Sequence, residues 1–277
     1  MSDSFDSLAP SYRSPEGDFA LYAGDCRKVV PRLPGTYDAI FADPPYFLSN
    51  GGFSVQAGKR VSVDKGAWDA SKGAAADAAF TRQWLSVCRD KLADHGTLWV
   101  CGTFHNIFTV ANEMTALGYR ILNVVTWQKT NPPPNLSCRT FTHSTEFLIW
   151  ARKHKAIPHH YDYPLMRRIA GNRQMTDLWR LPAIAPWEKA FGKHPTQKPL
   201  ALLVRTLLAS TPPSARILDP FAGSATTGIA ANLLGRSFDG IETEEAFLAL
   251  AKARREALPA HRAAWAARLK DLACLTE

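Results

Sequence analysis

Short apolar runs that each end on an acid recur along this chain: FALYAGD at 19–25, YDAIFAD at 37–43, ARILD at 215–219 and RSFDGIE at 236–242. Runs this short, bounded by turn residues, read as buried strands. TLWVCG (97–102), ILNVVTWQ (121–128) and TEFLIWAR (145–152) read the same way, and helical stretches at 78–92, 105–117, 200–208 and 224–234 separate most of them. Strands alternating with helices predict an α/β fold, a mostly parallel sheet with helices on both faces.

The 277 residues suit one large domain with a modest insertion. Segment 152–192 reads as that insertion, a separate small subdomain. Its Arg152, Lys153, Lys155, Arg167, Arg168 and Arg173 stand among Tyr, His and Trp with little periodicity. It divides a first part, 1–151, from a second, 193–277. Residues 1–17 read as irregular, 47–76 as a long Gly-rich polar loop, and the C-terminal helical tail as interrupted at Pro259. Arg254, Arg255, Arg262 and Arg268 on that tail read as a solvated face, Trp127 as buried core and NPPPN (131–135) as a rigid turn.

Lys and Arg total 33 against 25 Asp and Glu, and a net charge of +8 points to a polyanionic partner, nucleic acid above all. No apolar run approaches the ~20 residues that cross a bilayer, and the start lacks a basic segment followed by an apolar one. A cytoplasmic protein without membrane attachment is expected. Five widely spaced cysteines (26, 88, 101, 138 and 274), with no CxxC, argue against a disulfide framework or a structural zinc. His154, His159 and His160 lack a regular ligand set, so no metal is expected.

Two constellations carry chemistry. In LDPFAGSATTGIA (218–230) a buried strand ends on Asp219, a small-residue turn centred on Gly223 follows, and a helix opens near Ser224. Small residues admit a ligand close to the backbone, and the helix start offers unpaired N–H groups. The next strand ends on Glu242, where a carboxylate can accept from both hydroxyls of a ribose. This unit predicts a nucleoside cofactor. The second is Asp43-Pro44-Pro45-Tyr46, also at a strand end. Its prolines fix the backbone, so the Asp43 carboxylate, the Pro44 carbonyl and the Tyr46 ring suit a planar group carrying an NH₂.

Together these residues resemble the S-adenosylmethionine-dependent DNA methyltransferases that modify exocyclic amino groups, N6 of adenine or N4 of cytosine. DPPY (43–46) is similar to their catalytic motif and DPFAGSATT (219–227) to their cofactor motif, where Gly usually stands in place of Ala225. The catalytic motif comes first, the permuted order of the β group, whose target-recognition region lies between the two. KHPTQKP (193–199) resembles the segment just upstream of the cofactor motif, and Gly24-Asp25 an acidic turn near the cofactor adenine. The resemblance covers about residues 19–250.

It implies a Rossmann-like methyltransferase fold in which 1–151 is the catalytic half, 152–192 the target-recognition insertion, and 193–277 the cofactor half with a helical tail. It assigns Glu242 to the cofactor ribose and Asp25 to its adenine. Asp219, Phe221 and Gly223 cradle the methionine portion, with Pro220, Ala222, Ser224, Thr226 and Thr227 in the same set, and Thr196 with Lys198 line the far side. Asp43 and the Pro44 carbonyl hold the amino group, Pro45 stiffens the turn, and Tyr46 stacks on a flipped base. Arg152, Lys153, Lys155, Arg167, Arg168 and Arg173 meet DNA, and the loop carrying Lys59, Arg60 and Lys65 closes over it.

The Asp of DPPY leans toward adenine N6, with cytosine N4 a close second. DPPYFLSNGG and VSVDKGAWD also resemble adenine enzymes of GATC systems. A homodimer and a cognate restriction endonuclease acting on the same site come with the resemblance, although no residue locates either. Cytosine-C5 chemistry needs a thiolate, typically on a Pro-Cys turn, and no Pro-Cys occurs. An RNA or protein amino-methyltransferase usually places the cofactor motif first. A catalytically silent DNA-binding protein has no need of intact Asp43, Tyr46, Asp219 and Glu242. A nicotinamide dehydrogenase needs GxGxxG, which is missing from the first strand–turn–helix.

Overall fold

A computed structural model describes residues 8–49, 53–56, 59–62, 66–135 and 138–271. The acid-terminated runs form β2 (Phe19–Ala23), β3 (Tyr37–Ala42), β10 (Arg216–Asp219) and β11 (Ser237–Glu242). They join β1 (Tyr12–Arg13), β6 (Leu92–Gly102), β7 (Arg120–Lys129), β8 (Thr145–Arg152) and β9 (Leu178–Leu181) in one sheet. Its order is β1-β2-β11-β10-β3-β6-β8-β7-β9. Strands β2, β11, β10, β3 and β6 are parallel, β8 runs antiparallel between β6 and β7, and β9 is parallel to β7.

Side chains alternate across this sheet with the strand period of two, so each face has its own core. Phe19, Leu21, Phe41, Trp99 and Ile217 pack against α5 (Leu200–Ser210), α6 (Thr226–Leu233) and α7 (Glu245–Asp271). Tyr22, Ile40, Leu98, Val100 and Leu218 pack against α1 (Cys26–Val29), α2 (Ala74–Lys91) and α3 (Ile107–Ala116). Within this sheet, adjacent strands β10 and β3 are followed by β11 on one side and β6 on the other. The carboxyl ends of β10 and β3 therefore open a crevice where the sheet order reverses, the place where α/β sheets bind ligands.

Several segments differ from their sequence reading. Tyr12–Arg13 form a short edge strand within the stretch read as irregular. The loop 47–76 contains an antiparallel hairpin of β4 (Phe53–Gln56) and β5 (Lys59–Ser62) and a 3-10 turn at Ala67–Asp69. Residues 152–192 do not stand apart, because β9 extends the sheet beside β7 and buries Trp179 and Leu181 in the main core. A four-residue strand gives too little pattern to read.

The helix α7 continues through Pro259. Leu258, Trp265 and Leu269 anchor it to the core on both sides of the proline, which offsets the lost hydrogen bond. Of its arginines, Arg262 and Arg268 are exposed as a solvated face requires, and Arg254 and Arg255 are not. Arg254 and Arg255 are buried, Arg262 donates to the Asn232 and Leu233 carbonyls at the end of α6, and Arg268 lies over the Trp187 ring. Arg255 pairs with Glu16 and Asp18. Cys26, Cys88 and Cys101 are buried free thiols and Cys138 is exposed, while Cys274 lies outside the described residues. Among the described residues, no helix is long and apolar enough to cross a membrane.

Candidate active site

β10 ends on Asp219, whose carboxylate accepts from the Phe221 amide at 3.0 Å and the Thr227 hydroxyl at 2.6 Å. It is buried, no basic side chain among the described residues bonds to it, and burial pushes its pKa up to about 7 against the pull of those two hydrogen bonds. At the end of β11, the Glu242 carboxylate accepts from the amides of Gly223 (2.8 Å), Thr243 (2.8 Å) and Glu244 (2.9 Å), which ties the β10 turn to the neighbouring strand. Gly223 has φ +51°, and a Cβ there would meet the His194 ring at 2.9 Å. Ala225 adopts φ 54° and ψ 41° just before α6, a left-handed conformation costly for a residue with a Cβ. The buried Arg254 donates to the Ser224 carbonyl and hydroxyl and the Thr226 hydroxyl, clamping α7 to the turn.

All twelve residues assigned to the cofactor line one cavity of about 250 Å³, joined there by Asp43 and Pro45. Asp25 caps α1 and binds Arg27, whose hydrogen bonds hold the carboxyl below its ordinary pKa. Gln197 also lines the cavity, and its buried side-chain oxygen has no hydrogen-bond partner among the described residues. An acceptor awaiting a donor, a carboxylate awaiting a cation and aromatic walls from Phe221 and Phe247 fit S-adenosylmethionine, which carries an ammonium, a sulfonium and an adenine.

On the other side of the crevice, Asp43 follows β3. Its Oδ1 accepts the Tyr46 hydroxyl at 2.7 Å and its Oδ2 the Lys198 ammonium at 2.6 Å. Lys198, assigned to the far side of the cofactor, thus reaches both the cavity and the catalytic acid. It is 7% exposed, so it is not a solvated helix-start lysine. Glu146 lies 3.6 Å from the same ammonium and 3.4 Å from the Tyr46 hydroxyl, and its other oxygen binds Lys129 at 2.5 Å. Burial alone would lower the Lys198 pKa, and the two carboxylates outweigh it, raising the pKa above its ordinary value. Tyr46 is only 6% exposed, so in this arrangement its ring offers no open face to a base. Burial raises its pKa, keeping the hydroxyl protonated as a donor.

The turn itself is built by Asp69, fully buried, whose carboxylate accepts from the amides of Tyr46 (2.7 Å), Phe47 (2.9 Å) and Leu48 (3.2 Å) and from the Ser49 hydroxyl (3.0 Å). Sequence reading missed Asp69, Glu146, Lys129 and Gln197. Glu146 did carry a signal. In the antiparallel β8 it is the first residues, not the last, that lie at the edge where parallel strands end, and TEFLIWAR opens with an acid.

The residues assigned to DNA are scattered. Arg152, Lys153 and Lys155 sit at the far end of β8, where Arg152 faces Thr97 while Phe147 faces Gly102 near the site. Arg152 donates to the Lys155 and Ile157 carbonyls, and Lys153 to the Leu92 carbonyl and Asp94. They are not brought to Asp43. In α4 (Tyr163–Ile169), Arg167 and Arg168 are exposed, with Arg167 bound to the Asn172 carbonyl. Arg173 is exposed just before β9, where Arg180 is exposed as well. Lys59 and Arg60 fall on β5 with side chains outside the described ones, and Lys65 lies outside the described residues. Trp127 is buried and donates to the Leu181 carbonyl.

Residues 37–253 match the DNA methylase family of N6 and N4 enzymes. The chain is 49% identical over 248 residues to the type II methyltransferase M2.MboI of Moraxella bovis, covering 89% of this chain and 91% of that one. This chain is an N6/N4 DNA methylase. Type II methyltransferase M2.DpnII of Streptococcus pneumoniae is 51% identical to the methylase over 239 residues, 86% of this chain and 89% of its own. The crystal structure of the M1.HpyAVI–SAM complex superposes with a TM-score of 0.66 at 26% identity, covering 85% of the methylase and 98% of that chain. The fold, the S-adenosylmethionine dependence and the methyltransferase activity follow from these matches.

Proposed function

We propose that the methylase transfers a methyl group to N6 of adenine within a specific DNA site, as the modification half of a restriction-modification system. The observation that carries this reading is the placement of Asp43 on the wall of the same cavity as Asp219 and Glu242, across the crevice between β3 and β10. S-Adenosylmethionine supplies an electrophilic methyl group. The chain supplies the rest. Glu242 meets the ribose, Asp25 the adenine, and Asp219 the cationic methionine end. Asp43 and the Pro44 carbonyl accept the two amino hydrogens of an extruded base, which favours pyramidal nitrogen as positive charge grows on it. Asp43 then takes the proton.

Arg168, Arg173 and Arg180, with the hairpin bearing Lys59 and Arg60, are the proposed DNA contacts. A cognate endonuclease of the same site belongs to this reading, and a homodimer is testable by light scattering. Incubating the methylase with unmethylated genomic DNA and S-adenosylmethionine, then digesting to nucleosides for mass analysis, is expected to give N6-methyladenine. N4-methylcytosine would move the target base, and neither product would redirect the reading to RNA or protein. Asp43→Ala is expected to keep cofactor affinity and lose methylation.

A further inference from the structure

We infer that Glu146 is a positioning residue of the catalytic centre: it is the second seat of Lys198, and an arriving amino group moves the Lys198 ammonium from Asp43 to Glu146. The inference rests on the amino-methylation reading above. Both oxygens of Asp43 already accept a strong donor, Oδ1 from Tyr46 and Oδ2 from Lys198. An amino group can donate to Asp43 beside them, but a carboxylate that still holds an ammonium is a poor base for the proton the amino group must lose. The Tyr46 oxygen is fixed 2.7 Å from Asp43, since its ring is buried and its backbone amide is held by Asp69. Lys198 is the donor with a flexible four-carbon stem.

The ammonium lies 2.6 Å from Asp43 and 3.6 Å from Glu146. A shift of about 1 Å brings it to ordinary ion-pair distance from Glu146. Glu146 is prepared for it, because Lys129 holds the opposite carboxylate oxygen at 2.5 Å and both groups are largely buried. Without that seat, departure from Asp43 would leave the ammonium only the neutral Thr196 carbonyl, an uncompensated buried charge beside a cationic transition state. With it, Asp43 gains the basicity to take the amino proton, and the lysine charge stays neutralised while nitrogen becomes positive. Glu146 thus acts on the reaction through Lys198, not by touching the base or the cofactor.

The test compares wild type, Glu146→Gln, Glu146→Asp, Lys198→Met and the Glu146→Gln/Lys198→Met double variant. Each is assayed for S-adenosylmethionine affinity by calorimetry and for single-turnover methylation of unmethylated genomic DNA. Glu146→Gln is expected to hold cofactor affinity within about two-fold while methylation slows roughly 100-fold, and Glu146→Asp to recover at least about ten-fold of the loss. In the Lys198→Met background, Glu146→Gln should add less than about two-fold, because its effect passes through the lysine. A Glu146→Gln rate near wild type, or an equal loss with and without Lys198, would overturn the role. So would loss of cofactor binding in both Glu146 variants, which would make the residue structural. Absence of any methylated base with the wild type would remove the underlying reading as well, an outcome separate from these.

Discussion

The Tyr46 amide donates to a carboxylate oxygen of Asp69 at 2.7 Å, across 23 positions of sequence. Three successive amides and a hydroxyl converge on that one buried side chain, so the catalytic turn takes its shape from a residue outside its motif. It also joins the DPPYFLSNGG segment to the VSVDKGAWD segment.

Replacing Asp69 by Ala leaves buried donors unpaired, each worth ~1.5–3 kcal/mol when bonded to a charge. The expected loss is about 3–5 kcal/mol of stability. Asp69→Asn, which keeps one acceptor, should lose less while still slowing methylation. Urea midpoints alongside single-turnover rates check both; an unchanged midpoint for Asp69→Ala would refute the structural role.

Asp219 predicts a pH dependence. Its pKa is pushed up to about 7 in the folded protein, from an unfolded value near 3.8. The folded state therefore binds more protons between those values, and stability falls as pH rises from about 4 to about 7, by a few kcal/mol for this group. Glu188 and Glu242, also raised by burial, add to the same slope. Asp219→Asn should flatten it in thermal scans at fixed ionic strength. Since a bound cation returns Asp219 to its ionised form, S-adenosylmethionine affinity should rise with pH over this window and proton release should accompany binding. Calorimetry in buffers of different ionisation enthalpy reads that release directly.

Ala225 stands in the left-handed region, fully buried, where the family usually carries Gly. Ala225→Gly relieves ~1–2 kcal/mol of backbone strain and forfeits about 1 kcal/mol of buried methyl, so its stability should stay within about 1 kcal/mol of wild type. Ala225→Val, β-branched and without room, should cost more than about 2 kcal/mol and weaken cofactor binding at the adjoining turn. Denaturation midpoints and cofactor titrations distinguish the two.

Arg168→Glu/Arg173→Glu should weaken DNA binding and lower the salt slope by about 2 in a log–log plot. Lys155→Glu, at the far end of the sheet, should leave affinity within about two-fold. Fluorescence anisotropy at several salt concentrations gives both slopes. Equal losses from the two changes would place the DNA elsewhere.

The parallel strands, their terminal acids and the two glycine- and proline-rich turns were legible in sequence because each rests on local rules: apolar runs, small residues where backbone must approach a ligand, prolines that fix φ. Those rules located Asp43, Asp219 and Glu242 without any partner being known. Glu146, Asp69 and Lys129 were not legible, since their roles come from neighbours 17 to 100 positions away. Arg254 and Arg255 looked like a solvated helix face, and only the docking of α7 buried them against Ser224 and Asp18. The basic segment after β8 spread along the sheet, Arg152 level with Thr97 and Arg180 level with Gln128, because composition carries charge but not direction. The sequence by itself determined which strand ends carry acids. Tertiary structure decided which of those acids share a cation, because the distances between side chains from separate strands are set by register and packing, not by spacing along the chain.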